Sequence, residues 1–306
     1  MPATAPLAKV TATKGYGAEV VLNGLVYDDA YAKAVEIQKE TGATFLHPFN
    51  DKYVIAGQGT IGLEILEQLD GKVDTILCPI GGGGIIAGIA VAAKGINPNI
   101  KIVGVQTANI PSMQESMKNG EVTTAFKSTT IADGIAVKTP GDVTFEIINE
   151  LVDEVVVVEE DEIAQGMLFL MENQKVVAEG AGAVTTAALL SGKYVPKKDE
   201  NVVCVISGGN VDVNTLYRVI GTALTKEARR YSFNTVIQDK PGGLAELTKI
   251  ISEYDANILS ANLSRSSMGG ALGSLTAEMV LETFNHDHID KLKVAITEAG
   301  FEIVEI

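Results

Sequence analysis

The sequence contains no tryptophan, only two cysteines and only three histidines in 306 residues. Cys78 and Cys204 each lie within an apolar run that predicts a buried strand, so we expect core thiols and no disulfide. His47 precedes a proline, while His286 and His288 lie near the end of the chain, and none has an evident catalytic partner. The absence of a His and Cys cluster at metal-ligand spacing predicts that the protein has no metal site.

Basic residues are also scarce, with 24 Lys and Arg against 39 Asp and Glu, for a net charge of −15. An acidic surface repels nucleic acids and anionic membranes, so we expect neither as a partner. The sequence shows no secretory signal pattern and no apolar run long enough to cross a bilayer. These features favour a cytoplasmic location.

Hydrophobic residues make up 46% of the chain, which also has 31 glycines. Up to about residue 220, short apolar runs alternate with helical patterns, as is typical of βαβ units around a mostly parallel sheet. The pattern therefore predicts an α/β fold. Strands are predicted at 18–22, 43–47, 74–80, 100–106, 153–158 and 201–207, and helices at 27–40, 61–69, 141–152 and 161–174.

The pattern changes near residues 228–230, which predicts a domain boundary there, with domains at 1–228 and 229–306. From Arg230 onward the order of patterns is βαββαβ, which is typical of a ferredoxin-like two-layer sandwich. The glycine-rich segment 266–274 is predicted to be a hairpin turn.

Four consecutive glycines, Gly81, Gly82, Gly83 and Gly84, separate a predicted buried strand from an apolar helix. Their backbone can approach an anion closely, and the helix start adds free amide groups, so the pattern favours a phosphate site. A flexible turn is the simpler alternative. A dinucleotide site is weakly supported, because the next strand ends in Gln106 where an acidic residue is expected.

Ser207 ends the strand predicted at 201–207 and precedes two glycines, which places its hydroxyl at the edge of the sheet where α/β proteins bind ligands. An ordinary turn explains the same pattern equally well. Glu179 and Asp133 are flanked by small residues and could order a loop around a ligand, although a structural role is the commoner explanation.

Several long segments occur in the order seen in threonine dehydratases, also called threonine ammonia-lyases, and the chain resembles that family. The resemblance implies the pyridoxal-phosphate (PLP) fold of the tryptophan synthase β type, with residues 1–50 in a small subdomain and 51–228 in a large one. It also implies that Gly81, Gly82, Gly83, Gly84 and the amide of Ile85 bind the PLP phosphate. Ser207 would bind the pyridine nitrogen, and Glu179 would lie near the cofactor. The segments are TAPLAKVTATKGYGAEVV, HPFNDKYVIAGQGTIGLEILEQL, PIGGGGIIAGIA, TIADGIAVK, AEGAGA and VISGGNVD.

The end of the chain resembles an amino-acid-sensing ACT domain through the segments DKPGGLAEL and ANIL. In that family the loop after the first strand binds a regulatory amino acid where two domains pair. The resemblance therefore implies a homo-oligomer, either a dimer or a tetramer. The effector residues that it implies are Asp239, Pro241, Gly242, Gly243, Leu244, Asn257 and Ile258.

The chain departs from the dehydratase family in two respects. It has no Ser-Phe-Lys-x-Arg-Gly segment, which carries the lysine that forms the Schiff base with the cofactor, so we expect no catalytic residue in this chain. Its first residue matches a point well downstream of that lysine, so we expect an N-terminally truncated protein. Relatives that bind a divalent cation have an acidic residue at the position of Gln106, which again predicts no metal site.

The resemblance implies deamination of L-threonine to 2-oxobutanoate and ammonia, with serine to pyruvate as a side activity and regulation by an amino acid at the ACT domain. Without the Schiff-base lysine, we expect the chain to be inactive alone. The alternative is a non-catalytic amino-acid-sensing protein in which the tail is the functional part.

Overall fold

The computed structural model describes residues 1–5, 7–25, 27–126, 129–265 and 273–305. It contains two separate sheets, one before residue 228 and one after it. We call residues 1–228 the large region and residues 229–305 the tail region. Most of the turn predicted at 266–274 lies outside the described residues.

The first sheet has four parallel strands in the order β3-β2-β1-β4. Because β1 and β4 are parallel neighbours, the loops that follow them leave the sheet at the same edge. The glycines at 81–84 follow β1, and Ser207 follows β4, so the topology brings these two segments together. The strands are β1 (Thr75–Pro79), β2 (Lys101–Thr107), β3 (Glu154–Val158) and β4 (Val202–Cys204).

Nine α-helices accompany this sheet in the part of the chain that the structure describes. They are α1 (Leu7–Gly15), α2 (Tyr27–Thr41), α3 (Lys52–Gln68), α4 (Gly84–Ile96), α5 (Ser112–Asn119), α6 (Asp142–Leu151), α7 (Glu160–Phe169), α8 (Gly180–Leu190) and α9 (Val213–Lys226). A 3₁₀ turn covers Asp133–Ile135, and a π-helical turn, Leu170–Gln174, follows α7. None of the described helices is both long enough and apolar enough to cross a lipid bilayer.

Both faces of the first sheet are covered, which explains why its strands read as continuous apolar runs. Ile76 and Cys78 of β1 pack in one core cluster with residues of α4 and α6. Leu77 of the same strand packs in the other cluster, with residues of α7, α8 and α9. Alternation along a strand sends neighbouring side chains to opposite faces, so each face has its own core. The α/β class with a parallel sheet is confirmed.

The strands predicted at 18–22 and 43–47 are wrong, because neither segment forms a strand ladder in the part of the chain that the structure describes. A strand requires a neighbour to pair its backbone groups, and local β-propensity cannot supply one. Phe45 instead places its ring edge-to-face on Tyr31 of α2, with centroids 5.4 Å apart. The strand predicted at 201–207 is also shorter, ending at Cys204.

The tail region contains a four-stranded antiparallel sheet in the order β6-β7-β5-β8. Its elements follow the βαββαβ order that the sequence pattern predicts, and the sheet order is that of a ferredoxin-like sandwich. Phe233, Leu247 and Leu292 are fully buried in its core. The elements are β5 (Arg230–Gln238), α10 (Gly243–Glu253), β6 (Asn257–Ser264), β7 (Ser274–Glu282), α11 (His286–Glu298) and β8 (Val304–Glu305).

Candidate functional site

A cavity of about 300 Å³ lies at the carboxyl edge of the parallel sheet. It is lined by all seven residues predicted to bind the cofactor, although their positions in the sequence span more than a hundred residues. Parallel α/β sheets bind ligands at this edge, and the adjacency of β1 and β4 supplies the geometry here. The seven residues are Gly81, Gly82, Gly83, Gly84, Ile85, Glu179 and Ser207.

The glycine loop, residues 81–84, fits its surroundings so closely that no side chain can be added. A Cβ atom on Gly82 would lie 2.3 Å from the ring of Phe49, and one on Gly83 would lie 2.7 Å from Ile148 Cδ1. Gly83 also has a φ of +98°, a left-handed conformation that strains other residues. Backbone atoms therefore form this wall of the cavity.

The glycine loop also has hydrogen-bond donors to offer. The Gly82 carbonyl accepts a bond of 2.6 Å from Thr144 Oγ1, which holds the loop in place. Among the described residues, the amide groups at 81–85 have no acceptor, and α4 begins at Gly84 without a side-chain cap. Free amides at a helix start attract anions, and the cavity lining includes no Lys or Arg. The wall therefore suits a phosphate group held by the backbone alone.

Phe49 packs against the glycine loop, and hydrogen bonds of its neighbours His47 and Asn50 hold this segment in place. His47 Nδ1 accepts a bond of 2.9 Å from the Asn50 amide, and Asn50 Nδ2 donates to Asp142 Oδ1 at 2.6 Å. The hydrogen bond from Asn50 lowers the pKa of Asp142, and burial lowers the pKa of His47, which favours the neutral form of its ring. Reasoning from the sequence missed Phe49 and Asn50, although HPFN lies just before Asp51, the N-cap residue of α3.

Glu179 also lines the cavity. Its amide donates to the Gly208 carbonyl at 3.1 Å, and a Cβ atom on Gly208 would lie 2.5 Å from Glu179 Oε1. Burial raises the pKa of Glu179, and the negative charge of Asp133 raises it further. Asp133 itself forms an ion pair of 3.6 Å with Lys9 of α1. The structure thus brings together the two acids that the sequence singled out.

Ser207 is exposed three residues beyond β4, on the cavity wall. Gln106, by contrast, is fully buried, and its side chain cross-links the fold. Its Oε1 accepts from the Gln114 amide at 2.9 Å, and its Nε2 donates to the Ile80 carbonyl at 3.4 Å. Within the described ranges, no three or more His, Cys, Asp or Glu residues form a group that could hold a metal ion.

The implied effector residues do not form one site within a single chain. Asp239, Pro241, Gly242, Gly243 and Leu244 follow the end of β5, whose last residue pairs with the start of β7. Asn257 and Ile258 begin β6 and pair with the end of β7. The two groups therefore lie at opposite ends of the same sheet.

A parallel α/β sheet with a glycine loop and an uncapped helix start at its carboxyl edge is typical of a class of proteins that hold a phosphate group through backbone amides. The profile of the family "Pyridoxal-phosphate dependent enzyme" matches residues 1–208. The chain belongs to this family, and its cofactor is PLP.

The chain is similar to one curated relative and two solved structures of known enzymes. It is 48% identical over 303 residues to an L-threonine ammonia-lyase of Thermotoga maritima, covering 99% of this chain and 75% of the relative. It resembles threonine deaminase isoform 2 of Solanum lycopersicum with a TM-score of 0.68 and 37% identity, covering 73% and 65% of the two chains. It resembles maize serine racemase with a TM-score of 0.67 and 37% identity, covering 74% of this chain and 70% of the racemase chain. The relatives place the chain in a lyase family.

Proposed function

We propose that the chain uses its cavity to bind PLP for the deamination of L-threonine to 2-oxobutanoate and ammonia, with serine converted to pyruvate as a side activity. One observation carries the proposal: the seven residues implied by the resemblance line a single cavity of about 300 Å³. The Thermotoga maritima relative, named an L-threonine ammonia-lyase, supports the choice of reaction and substrate.

The residues of the cavity have distinct tasks in this proposal. The amides at 81–85 hold the phosphate, and the Ser207 hydroxyl is a neutral partner for the ring nitrogen. Phe49 packs against Gly82 and Gly84 of the glycine loop, and Glu179 lines the same cavity. When bound, PLP supplies an electron sink for the negative charge that develops on the substrate α-carbon.

We also propose that this chain binds PLP without turnover when it is alone. It contains no Ser-Phe-Lys-x-Arg-Gly segment, and Lys9, the lysine paired with Asp133 near Glu179, does not lie in such a motif. Loss of a general base typically costs about 10²–10⁴-fold in rate. Phosphate binding, in contrast, needs only the glycine loop and the start of α4.

The test is to titrate PLP into the purified chain by absorbance, with inorganic phosphate as competitor. Ser207→Ala should weaken binding about 2- to 10-fold, the usual worth of one hydrogen bond. The matched control is Ser252→Ala, an exposed serine at the end of α10. Equal affinities for the two variants would contradict the role of Ser207. An absence of saturable, phosphate-sensitive binding would contradict the proposal that the cavity binds PLP.

A product assay completes the test. The chain with PLP is incubated with L-threonine or L-serine, and 2-oxobutanoate, pyruvate and D-serine are measured. We expect no product above the rate with free PLP. Rapid 2-oxobutanoate release would support deamination and contradict inactivity, whereas D-serine as the main product would favour the racemase relatives over the proposed reaction.

For the tail, we propose an ACT regulatory domain that binds an amino acid between two chains. β6 is an edge strand, and its Leu259 and Leu263 are each 47% exposed. A two-fold pair along this edge would place Asn257 of one chain near the Asp239–Leu244 turn of its partner, because the pairing is antiparallel. This would reunite the two groups that one chain holds apart.

Calorimetry with branched-chain and hydroxy amino acids, together with sedimentation analysis of the whole chain, tests the regulatory proposal. We expect a dimer or tetramer that binds at least one of these amino acids, and Asn257→Ala should weaken that binding. A monomer that binds none of them would overturn the proposal.

A further inference from the structure

A second cavity, of about 730 Å³, lies where α9 meets the sheet of the tail region. We call it the junction cavity. It is lined by Arg218 and Lys226 of α9, by Arg230 and Ser232 of β5, and by Asp161 from the first turn of α7, among others. Both regions of the molecule therefore contribute to it.

Local periodicity explains why these side chains share one cavity. Arg218, Thr222, Thr225 and Lys226 follow a spacing of four, three and one residues, which places them along one face of α9. In β5 the buried side chains alternate with Arg230 and Ser232, so these two face away from the tail core, toward α9.

The charges of the junction cavity are not balanced. Lys226 pairs with Asp161 at 2.7 Å, but neither Arg218 nor Arg230 forms an ion pair with any described residue. The other two arginines of the chain, Arg229 and Arg265, each bind a carboxylate. In a protein of net charge −15, two uncompensated guanidinium groups in one cavity are unexpected.

Arg230 provides a second, independent observation. Its Nε atom is buried and has no hydrogen-bond partner. Its guanidinium lies against α9, where a Cβ atom on Gly221 would be 3.1 Å from one terminal nitrogen. A buried donor without an acceptor is costly, so a movement of this side chain that turns Nε toward an oxyanion in the cavity would be favourable.

We propose that the junction cavity binds the phosphate group of a small phosphorylated metabolite. Guanidinium groups recognise phosphate through paired, charge-assisted hydrogen bonds. Two guanidinium groups without a carboxylate partner among the described residues and a shared ammonium match a dianion, and Ser232 and Thr222 add hydroxyl groups to the wall. The site is separate from the glycine loop, which belongs to other elements, and the proposal does not depend on the deamination activity.

The experiment uses the four arginines of the whole chain as probes. Their Nε–H signals are recorded by ¹H–¹⁵N NMR and assigned with Arg218→Lys and Arg230→Lys. Inorganic phosphate and glycerol 3-phosphate are then titrated in, with sodium chloride at matched ionic strength and succinate as parallel arms. The signals of Arg218 and Arg230 should shift saturably with both phosphates, while those of Arg229 and Arg265 stay in place.

Arg218→Gln removes an exposed side chain, and it should weaken phosphate binding about tenfold or more, read from the Arg230 signal. Phosphate bound at the glycine loop would not move these two signals, which separates the two sites. Equal shifts of all four arginines, or equal effects of chloride, would overturn the proposal. Tighter binding of succinate than of either phosphate would overturn the assignment of phosphate as the ligand.

Discussion

Helices α4 and α10 begin in nearly the same way, yet their surroundings differ completely. Each follows a strand and starts after a left-handed glycine, Gly83 with φ +98° and Gly242 with φ +95°, without a side-chain cap. A Cβ atom on Gly83 would collide with Ile148 and Thr144, whereas one on Gly242 would meet nothing within 4 Å. A left-handed glycine before a helix therefore lies in the buried glycine loop in one region and in an open turn in the other.

The difference shows which surroundings make a helix start suitable for anion binding. The glycine loop lies at the carboxyl edge of a parallel sheet, where neighbouring loops add Glu179 and Ser207 to a common cavity. The turn in the tail is exposed, and its Asp239 is bound by Arg265 at 3.1 Å. Amides in a partly buried cavity bind anions more strongly than amides in water, because the surrounding dielectric is lower.

The largest effect is expected for Gly83→Ala. Left-handed strain and the collision with Ile148 together should cost roughly 2–5 kcal/mol of unfolding free energy and abolish PLP binding. Gly242→Ala is the matched variant, with the same strain but open space, and should cost only about 1–2 kcal/mol. Urea unfolding and PLP titration measure both. Equal costs would show that packing does not distinguish the two helix starts.

Acid is expected to lower the stability of the fold around β1, the strand that precedes the glycine loop. Hydrogen bonds from Thr75 and Tyr194 lower the pKa of Glu200 to about 2, so the ionised carboxylate stabilises the fold above pH 4.5. This contribution is lost as the pH falls from 4.5 toward 2. Glu200→Gln should cost about 1 kcal/mol at pH 7, since the carboxylate is half-exposed, and should flatten the acid dependence.

Melting temperatures between pH 2 and 7 measure this effect. Glu298→Gln, an exposed position at the end of α11, is the control and should leave the acid dependence unchanged. An unchanged acid dependence in the Glu200 variant would contradict the assignment.

A smaller effect of opposite sign is expected at the cavity itself. Burial and Asp133 raise the pKa of Glu179 above its ordinary value, so ionisation of this carboxyl destabilises the fold. The cost is absent below the unfolded-state pKa and appears as the pH rises through the folded-state value. Glu179→Gln should therefore raise the melting temperature at pH 7, and this gain should vanish at pH 4. Destabilisation at pH 7 would show that the carboxylate is needed structurally.

The smallest effect is expected in the open turn. The Arg265 side chain is 77% exposed, so its pair with Asp239 is screened by water and salt. Asp239→Asn should change the unfolding free energy by less than about 1 kcal/mol, with no difference in 1 M salt. A larger, salt-independent loss of unfolding free energy would show that this turn contributes as much to stability as the glycine loop does.

Local pattern was sufficient where an element contains its own signal. The apolar run of β1, the four glycines and the alternating residues of β5 predict their structures directly, because period and propensity act within a few residues. The same reasoning failed at 18–22 and 43–47, where a strand depends on a distant partner. It also missed α8, because this helix is buried from Gly180 to Ala188 and so lacks the alternation of apolar and polar faces that marks a surface helix.

The amino-acid sequence by itself determined the parallel α/β class, the βαββαβ order of the tail, and which residues could cradle a phosphate. Tertiary structure alone decided that β1 and β4 are neighbours, which brings Ser207 to the glycine loop. It also decided that Phe49 covers Gly82, and that Asn257 lies far from the Asp239 turn. These outcomes depend on strand order and register, which arise from packing between segments far apart in the chain and leave no trace in local periodicity.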